Sequence, residues 1–226
     1  MSSIIQQISI MALPLLLGVI LHEVAHGWVA NKLGDPTARL MGRLTLNPIS
    51  HIDPFGSILI PGILLLSHAP FLFGYAKPVP VNFRNLRNPK KDMVWVALAG
   101  AVVNLFLALG FSIIHRLLMT AEPLWEFPFL RLILQPLILM LRYGVMINVS
   151  LGIFNLIPIP PLDGGRVMVG LLPLQAAYKF SKIEPYGFFI LIGLLVTHIL
   201  DWLITPPIIF FIKLFEIIGG INFYLM

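Results

Sequence analysis

The apolar run over residues 8–30 is interrupted by ionisable residues at one place, Leu21-His22-Glu23-Val24-Ala25-His26-Gly27. This stretch constrains the chain more than any other. Helical spacing puts His22 and His26 one turn apart on one face. Two imidazoles so placed can grip one Zn²⁺, and Glu23 beside them can take a proton from an attacking water. An interfacial helix end whose polar residues face headgroups would be the bland alternative. It is disfavoured because ionisable groups at membrane depth are functional by default.

Composition supplies the hydrocarbon. Of 226 residues, 58% are hydrophobic and 11% charged, where a soluble domain carries roughly a quarter charged residues. The chain reads as an all-α polytopic membrane protein: one bundle of about four to six transmembrane helices over residues 1–226, with no room for a sizeable soluble domain. There is no cysteine, so zinc would be held by His, Asp or Glu, one ion per chain. The net charge of +5 comes from cations beside apolar spans, which points to orientation in a bilayer and away from nucleic acid.

Taken in order, residues 4–30 read as the first span. No Lys or Arg precedes Lys32, so the basic start of a signal peptide is missing, and Gly34-Asp35-Pro36 stops the helix. Counting the helical rise back from Lys32 puts His26 about 9 Å and His22 about 15 Å from that end. Arg39-Leu-Met-Gly-Arg-Leu-Thr-Leu has the length and punctuation of a short β-hairpin. Residues 58–75 are apolar but interrupted by Pro61-Gly62 and Pro70, which predicts a re-entrant or broken segment. Lys32, Arg39 and Arg43 precede it, and Lys77, Arg84, Arg87, Lys90 and Lys91 follow it. If it turns back, both basic groups are cytoplasmic, the amino terminus is outside and the metal lies near the cytoplasmic face.

Residues 92–114 form a second span, where Ala97, Gly100 and Ala101 permit close helix approach and Asn104 is a polar group needing a partner. His115 is expected at the interface. Residues 132–157 form a third span, with Arg142 snorkelling outward or meeting an acid. It ends in Asn155-Leu-Ile-Pro158-Ile-Pro160-Pro161-Leu-Asp163-Gly164-Gly165. The prolines break the helix and the glycines allow a sharp turn. Asp163 is thus well placed to meet the first helix, or else is a capping residue in a turn. Residues 186–204 give a fourth span, and 205–223, starting at Thr205-Pro206-Pro207, are a short last span or an interfacial helix. On this topology His198 and Asp201 sit at the outer end. His51-Ile52-Asp53 could add to a metal site or be a turn residue and a cap before Pro54.

Read together, His22-Glu23-Val-Ala-His26 and Asn155-Leu-Ile-Pro158-Ile-Pro-Pro-Leu-Asp163-Gly164 resemble the site-2 protease family of intramembrane zinc metalloproteases, closest to its small bacterial and archaeal branch. The resemblance covers a core of residues 8–166, leaves C-terminal helices over 186–223, and shows no PDZ or CBS domain. It implies that His22, His26 and Asp163 bind zinc, that Glu23 is the catalytic base, and that Asn155 contacts substrate or the reaction centre. Gly100 to Asn104 resembles the family's Gly-Pro-x-x-Asn signature with Ala101 in place of proline. The substrate implied is a membrane-embedded protein, single-span, cut in or near its transmembrane segment within the cell membrane. An edge strand in 39–60 could hold the unwound substrate by β-addition. A transporter or metal-binding protein using the same His/Asp cluster is the competing class, and Glu23 discriminates against it, since transport needs no base beside the metal.

Overall fold

The computed structural model describes residues 2–67 and 74–223, and among them the chain is helical, with no strand. In chain order the α-helices are α1 Ser2–Leu33, α2 Thr37–Leu40, α3 Ile60–Leu66, α4 Pro89–Thr120, α5 Glu122–Glu126, α6 Pro128–Asn155, α7 Asp163–Leu171, α8 Leu174–Ser181, α9 Glu184–Val196 and α10 Ile199–Gly219. Four are long and apolar enough to cross a bilayer: α1 from Ile8, α4, α6 and α10. This is a multi-pass membrane protein.

Helix α4 is the hub, with α1, α6, α7 and α10 packed around it. Lipid is as apolar as Leu, so hydrophobicity does not draw spans together; close packing and buried hydrogen bonds must. The small residues of α4 serve that need: Ala97, Gly100, Ala101 and Ala108 are all buried. On the α6 side, a Cβ at Gly152 would lie 3.2 Å from the Ala101 carbonyl, and one at Gly144 only 2.6 Å from the Phe111 ring. Both glycines therefore set how closely α6 approaches α4.

The segment after α1 turns back as expected. A turn of π-helix, Pro54–Leu59, runs into α3, and the pair is too short to span. Residues 68–73, with Pro70, lie outside the described residues. The two sides of the segment meet: Tyr75 N–H donates to Gly56 C=O at 3.0 Å, and the Ser57 hydroxyl to Tyr75 C=O at 2.9 Å. Arg87 N–H then reaches Leu33 C=O at 3.0 Å, so the chain enters α4 at the end of the bundle where α1 left it.

Several expectations need correcting. The hairpin over 39–46 does not form. Its turn signal, Gly42 at φ 65°, instead closes the helical turn α2, with Arg43 N–H on Ala38 C=O. Leu40, Met41 and Leu46 are exposed, so no face exists whose burial would reward pairing. The edge strand proposed for substrate falls with it. The span expected over 186–204 breaks at Thr197-His198, where His198 is left-handed at φ 58°. The fourth span is α10, and it passes through Pro206-Pro207. Ile204, Ile208, Phe211, Ile212 and Phe215 form one helical stripe against the core made with Ala108, Val145 and Val149, and this continuous packing carries the helix past its prolines.

That path also relocates His198 and Asp201. The end of α10 lies against His115 and Arg116 near the far end of α4, while Leu200 at its start lies with Phe154 at the end of α6. His198 and Asp201 are therefore at the end of the bundle that carries Leu33, Pro89 and Asn155, paired with each other at 2.8 Å and exposed. His115 is buried rather than interfacial. Its Nδ1–H satisfies the Gly219 carbonyl at 2.9 Å, its Nε2 faces Arg142 Nε at 3.4 Å, and Arg116 caps Ile217 and Ile218. A helix that ends inside a bundle needs donors for its last carbonyls, and cations near that negative end are favourable.

Candidate active site

His22 and His26 lie on the α1 face that packs against α4, and Asp163 opens α7. All three are buried. Asp163 Oδ2 lies 3.0 Å from His22 Nε2 and 3.1 Å from His26 Nε2. The imidazoles meet edge to face with centroids 4.7 Å apart. Asp163 reaches them because α7 folds tightly onto the loop that precedes it. A Cβ at Gly164 would lie 2.2 Å from the Leu156 carbonyl, and one at Gly165 2.4 Å from Pro160 N. The expected sharp turn at these glycines is not seen; they start the helix, and their use is closeness.

The outer nitrogens of both rings are taken. His22 Nδ1 bonds Asn104 Oδ1 at 2.6 Å, and His26 Nδ1 bonds the Val96 carbonyl at 2.7 Å. The Asn104 amide is oriented by its own donations, from Nδ2 to Gly18 C=O at 3.2 Å and to Asn148 Oδ1 at 2.8 Å. Asn148 in turn donates to Gly144 C=O at 2.9 Å. Both partners of the rings are pure acceptors, so each Nδ1 carries a proton, and a neutral ring then presents its Nε2 lone pair. Asp163 Oδ2 is buried without a hydrogen bond. Three candidate ligand atoms thus converge within 4.8 Å of one another. Such a group needs a cation among its members, a proton on an Nε2 or a metal ion. Two neutral imidazoles and a carboxylate, with outer hydrogen bonds fixing the rings, are the donor set that suits Zn²⁺.

Glu23 lies beside the cluster, its Oε2 accepting the Val79 N–H at 2.9 Å. Asn155, named with these residues from the sequence, donates to Leu151 C=O of its own helix at 2.9 Å. His51 and Asp53 stand apart from the cluster. His51 Nε2 bonds Thr45 C=O at 2.9 Å, and Asp53 caps the Phe55 and Gly56 N–H groups at 3.0 and 2.7 Å. They are the turn residue and the cap.

Sequence reasoning left Asn104 without a partner and missed Asn148, the Val96 carbonyl, the Val79 amide and the purpose of Gly100. The available signal was spacing. Gly18, His22 and His26 recur every four residues on α1, as do Val96, Gly100 and Asn104 on α4. A Cβ at Gly100 would lie 2.5 Å from His22 Cε1 and 2.6 Å from both Nε2 atoms. Gly100→Ala is therefore expected to lower zinc affinity by about a hundredfold or more, beyond the usual cost of losing an outer hydrogen bond to a ligand. Gly110→Ala on the same helix meets nothing within 4 Å and should keep its zinc; metal analysis of the two purified variants checks this.

Similarity to known proteins identifies the family. The model of Peptidase family M50 matches residues 131–198, which include Asn155 and Asp163. The chain is 39% identical over 197 residues to the protein named "Putative zinc metalloprotease YwhC" of Bacillus subtilis, covering 87% of this chain and 84% of that one. It is 27% identical over 190 residues to "Putative zinc metalloprotease Rip2" of Mycolicibacterium smegmatis, covering 82% and 66%. With the Rip2 of Mycobacterium tuberculosis it shares 31% over 153 residues, covering 66% and 52%. No solved structure matches. The chain thus belongs to peptidase family M50, the family of the site-2 proteases, and is a zinc metalloprotease.

Proposed function

We propose that this protein is an intramembrane endopeptidase that hydrolyses peptide bonds in or near the transmembrane segment of single-span membrane proteins, in the cell membrane. One observation carries the reading: three buried lone-pair donors converge beside a carboxylate, inside a chain whose helices belong in a bilayer. His22, His26 and Asp163 hold one zinc. Three protein ligands leave a coordination position open, as a hydrolytic site requires and a closed structural site does not. When bound, zinc supplies Lewis acidity, acidifying a water and polarising the scissile carbonyl.

The remaining chemistry is done by the protein. Glu23 accepts the proton from the attacking water and later delivers it to the departing amine. Asn104 and the Val96 carbonyl hold the imidazoles in the tautomer that presents Nε2. Asn155, whose Nδ2 is engaged within α6, offers its side-chain oxygen to a substrate N–H.

The bundle end with Leu33 and Pro89 is assigned to the cytoplasm, because the basic residues on either side of the turned-back segment are at that end. The amino terminus is then outside. Single cysteines at the exposed positions Arg39 and Arg87 should be labelled only from the cytoplasmic side, and one at Glu122 only from outside. Labelling of Arg39→Cys and Arg87→Cys from opposite faces would overturn this orientation. For the reaction itself, incubating the zinc-loaded protein in lipid with a labelled single-span substrate and mapping the fragments by mass is the test. Cuts confined to water-exposed domains would contradict it.

A further inference from the structure

Between the turned-back segment and α4, residues Lys77-Pro78-Val79-Pro80-Val81-Asn82 pass α1 with neither helix nor strand. Both ends of this strap are tied. At one end Arg43 Nη2 donates to the carbonyls of Lys77 and Pro78 at 3.1 and 3.3 Å, and Lys77 N–H to His51 C=O at 2.9 Å. At the other, Asn82 N–H donates to Asp35 Oδ2 at 2.7 Å. Burial works against ionisation of Asp35, but hydrogen bonds from Thr37, Asn85 and Asn82 outweigh it and hold the carboxyl below its ordinary range. The anchor is therefore charged at neutral pH.

Between the anchors Val79 is buried and wedged onto α1, where a Cβ at Gly27 would lie 2.7 Å from Val79 Cγ1. Gly27 directly follows His26. Pro78 and Pro80 have no N–H and keep the backbone extended, so the strap can offer one donor here, Val79. It gives that donor to Glu23 Oε2 at 2.9 Å, which among the described residues is the one hydrogen bond to this carboxylate.

We propose that the strap is a positioning element for the base: the Val79 amide holds Glu23 Oε2 and leaves Oε1 as the oxygen that takes the proton from water and returns it to the amine. This rests on the reading of Glu23 as the base. A carboxylate on a flexible stem would otherwise sample many orientations, and small misplacements of a reacting group can cost about a hundredfold in rate. The donor is a main-chain group, so it is set by where the strap runs and not by the identity of a side chain.

The test uses the full chain in lipid nanodiscs, with the amide at 79 changed to an ester by placing 2-hydroxyisovaleric acid there, which deletes the N–H and keeps the side chain. The same change at Val81 is the control. The ester at 79 should keep full zinc and an unchanged KM while kcat falls about tenfold or more; the ester at 81 should match wild type. Independently of any cleavage, exchange of the Val79 amide should quicken about tenfold or more in Glu23→Ala. Wild-type kcat in the ester at 79, loss of its zinc, or unchanged amide exchange would each overturn the proposal. A wild-type chain that cleaves nothing would count against the proposed function, and the exchange measurement would still decide the fate of the strap.

Discussion

Replacing Glu23 by Gln is expected to lower peptide hydrolysis by about 10²–10⁴-fold, the range a positioned general base contributes, while zinc stays bound. The substitution is unusually clean here. The Gln side-chain oxygen can still accept the Val79 N–H that Oε2 accepts now, so the strap and the site should keep their shape. His22, His26 and Asp163 are untouched, so metal stoichiometry should equal wild type. What is lost is the one step an amide cannot perform, taking a proton from water. Single-turnover cleavage of a model transmembrane substrate, with zinc quantified in the same preparation, reads both quantities. Wild-type turnover with zinc in place would remove Glu23 from the mechanism.

The parts of this site visible in the sequence were those written in local periodicity. Two histidines four apart with a glutamate between them need only a helix to be read, and α1 is one. Asp163 was legible because Pro158, Pro160 and Pro161 must end α6 and so bring the following acid to a bundle end. Its approach to the first helix was expected, but how closely α7 folds onto the loop before it depends on clearances at Gly164 and Gly165 that exist only in three dimensions. The same holds for Asn104: its polarity in a span announced a partner, but that the partner is His22 depends on which faces of α1 and α4 oppose each other.

The errors have a common physical origin. Gly42 ends a helical turn by the same left-handed backbone that would close a hairpin, so a local signal could not choose between them. Pro206-Pro207 read as a start because prolines break isolated helices, yet the helix continues through them where Ile204, Ile208, Phe211, Ile212 and Phe215 pack along the core. The Val79 amide could not be seen at all, because a backbone donor leaves no mark in residue identity. The helical fold class and the residues of the His22, His26 and Asp163 cluster were therefore accessible from pattern, whereas the groups that orient their side chains were properties of packing.

Asp163→Ala is expected to abolish stoichiometric zinc binding, and with it activity. Asp163 Oδ2 is buried and lies 3.0 and 3.1 Å from the Nε2 atoms of His22 and His26. With metal the carboxylate is the third ligand, and two histidines alone leave too many open positions to hold zinc well. Ligand-linked stabilisation should disappear accordingly: adding zinc should raise the melting temperature of wild type and not of Asp163→Ala. Asp163→Asn retains an oxygen donor but no charge, and should fall between the two. Asp53→Ala provides the contrast. Asp53 caps the Phe55 and Gly56 amides, so its removal should cost about 1 kcal/mol in stability and leave zinc stoichiometry unchanged. Metal analysis and thermal melts of the purified variants, with and without zinc, check each statement. Full zinc in Asp163→Ala, or zinc loss in Asp53→Ala, would move the third ligand out of α7 and dismantle the site described here.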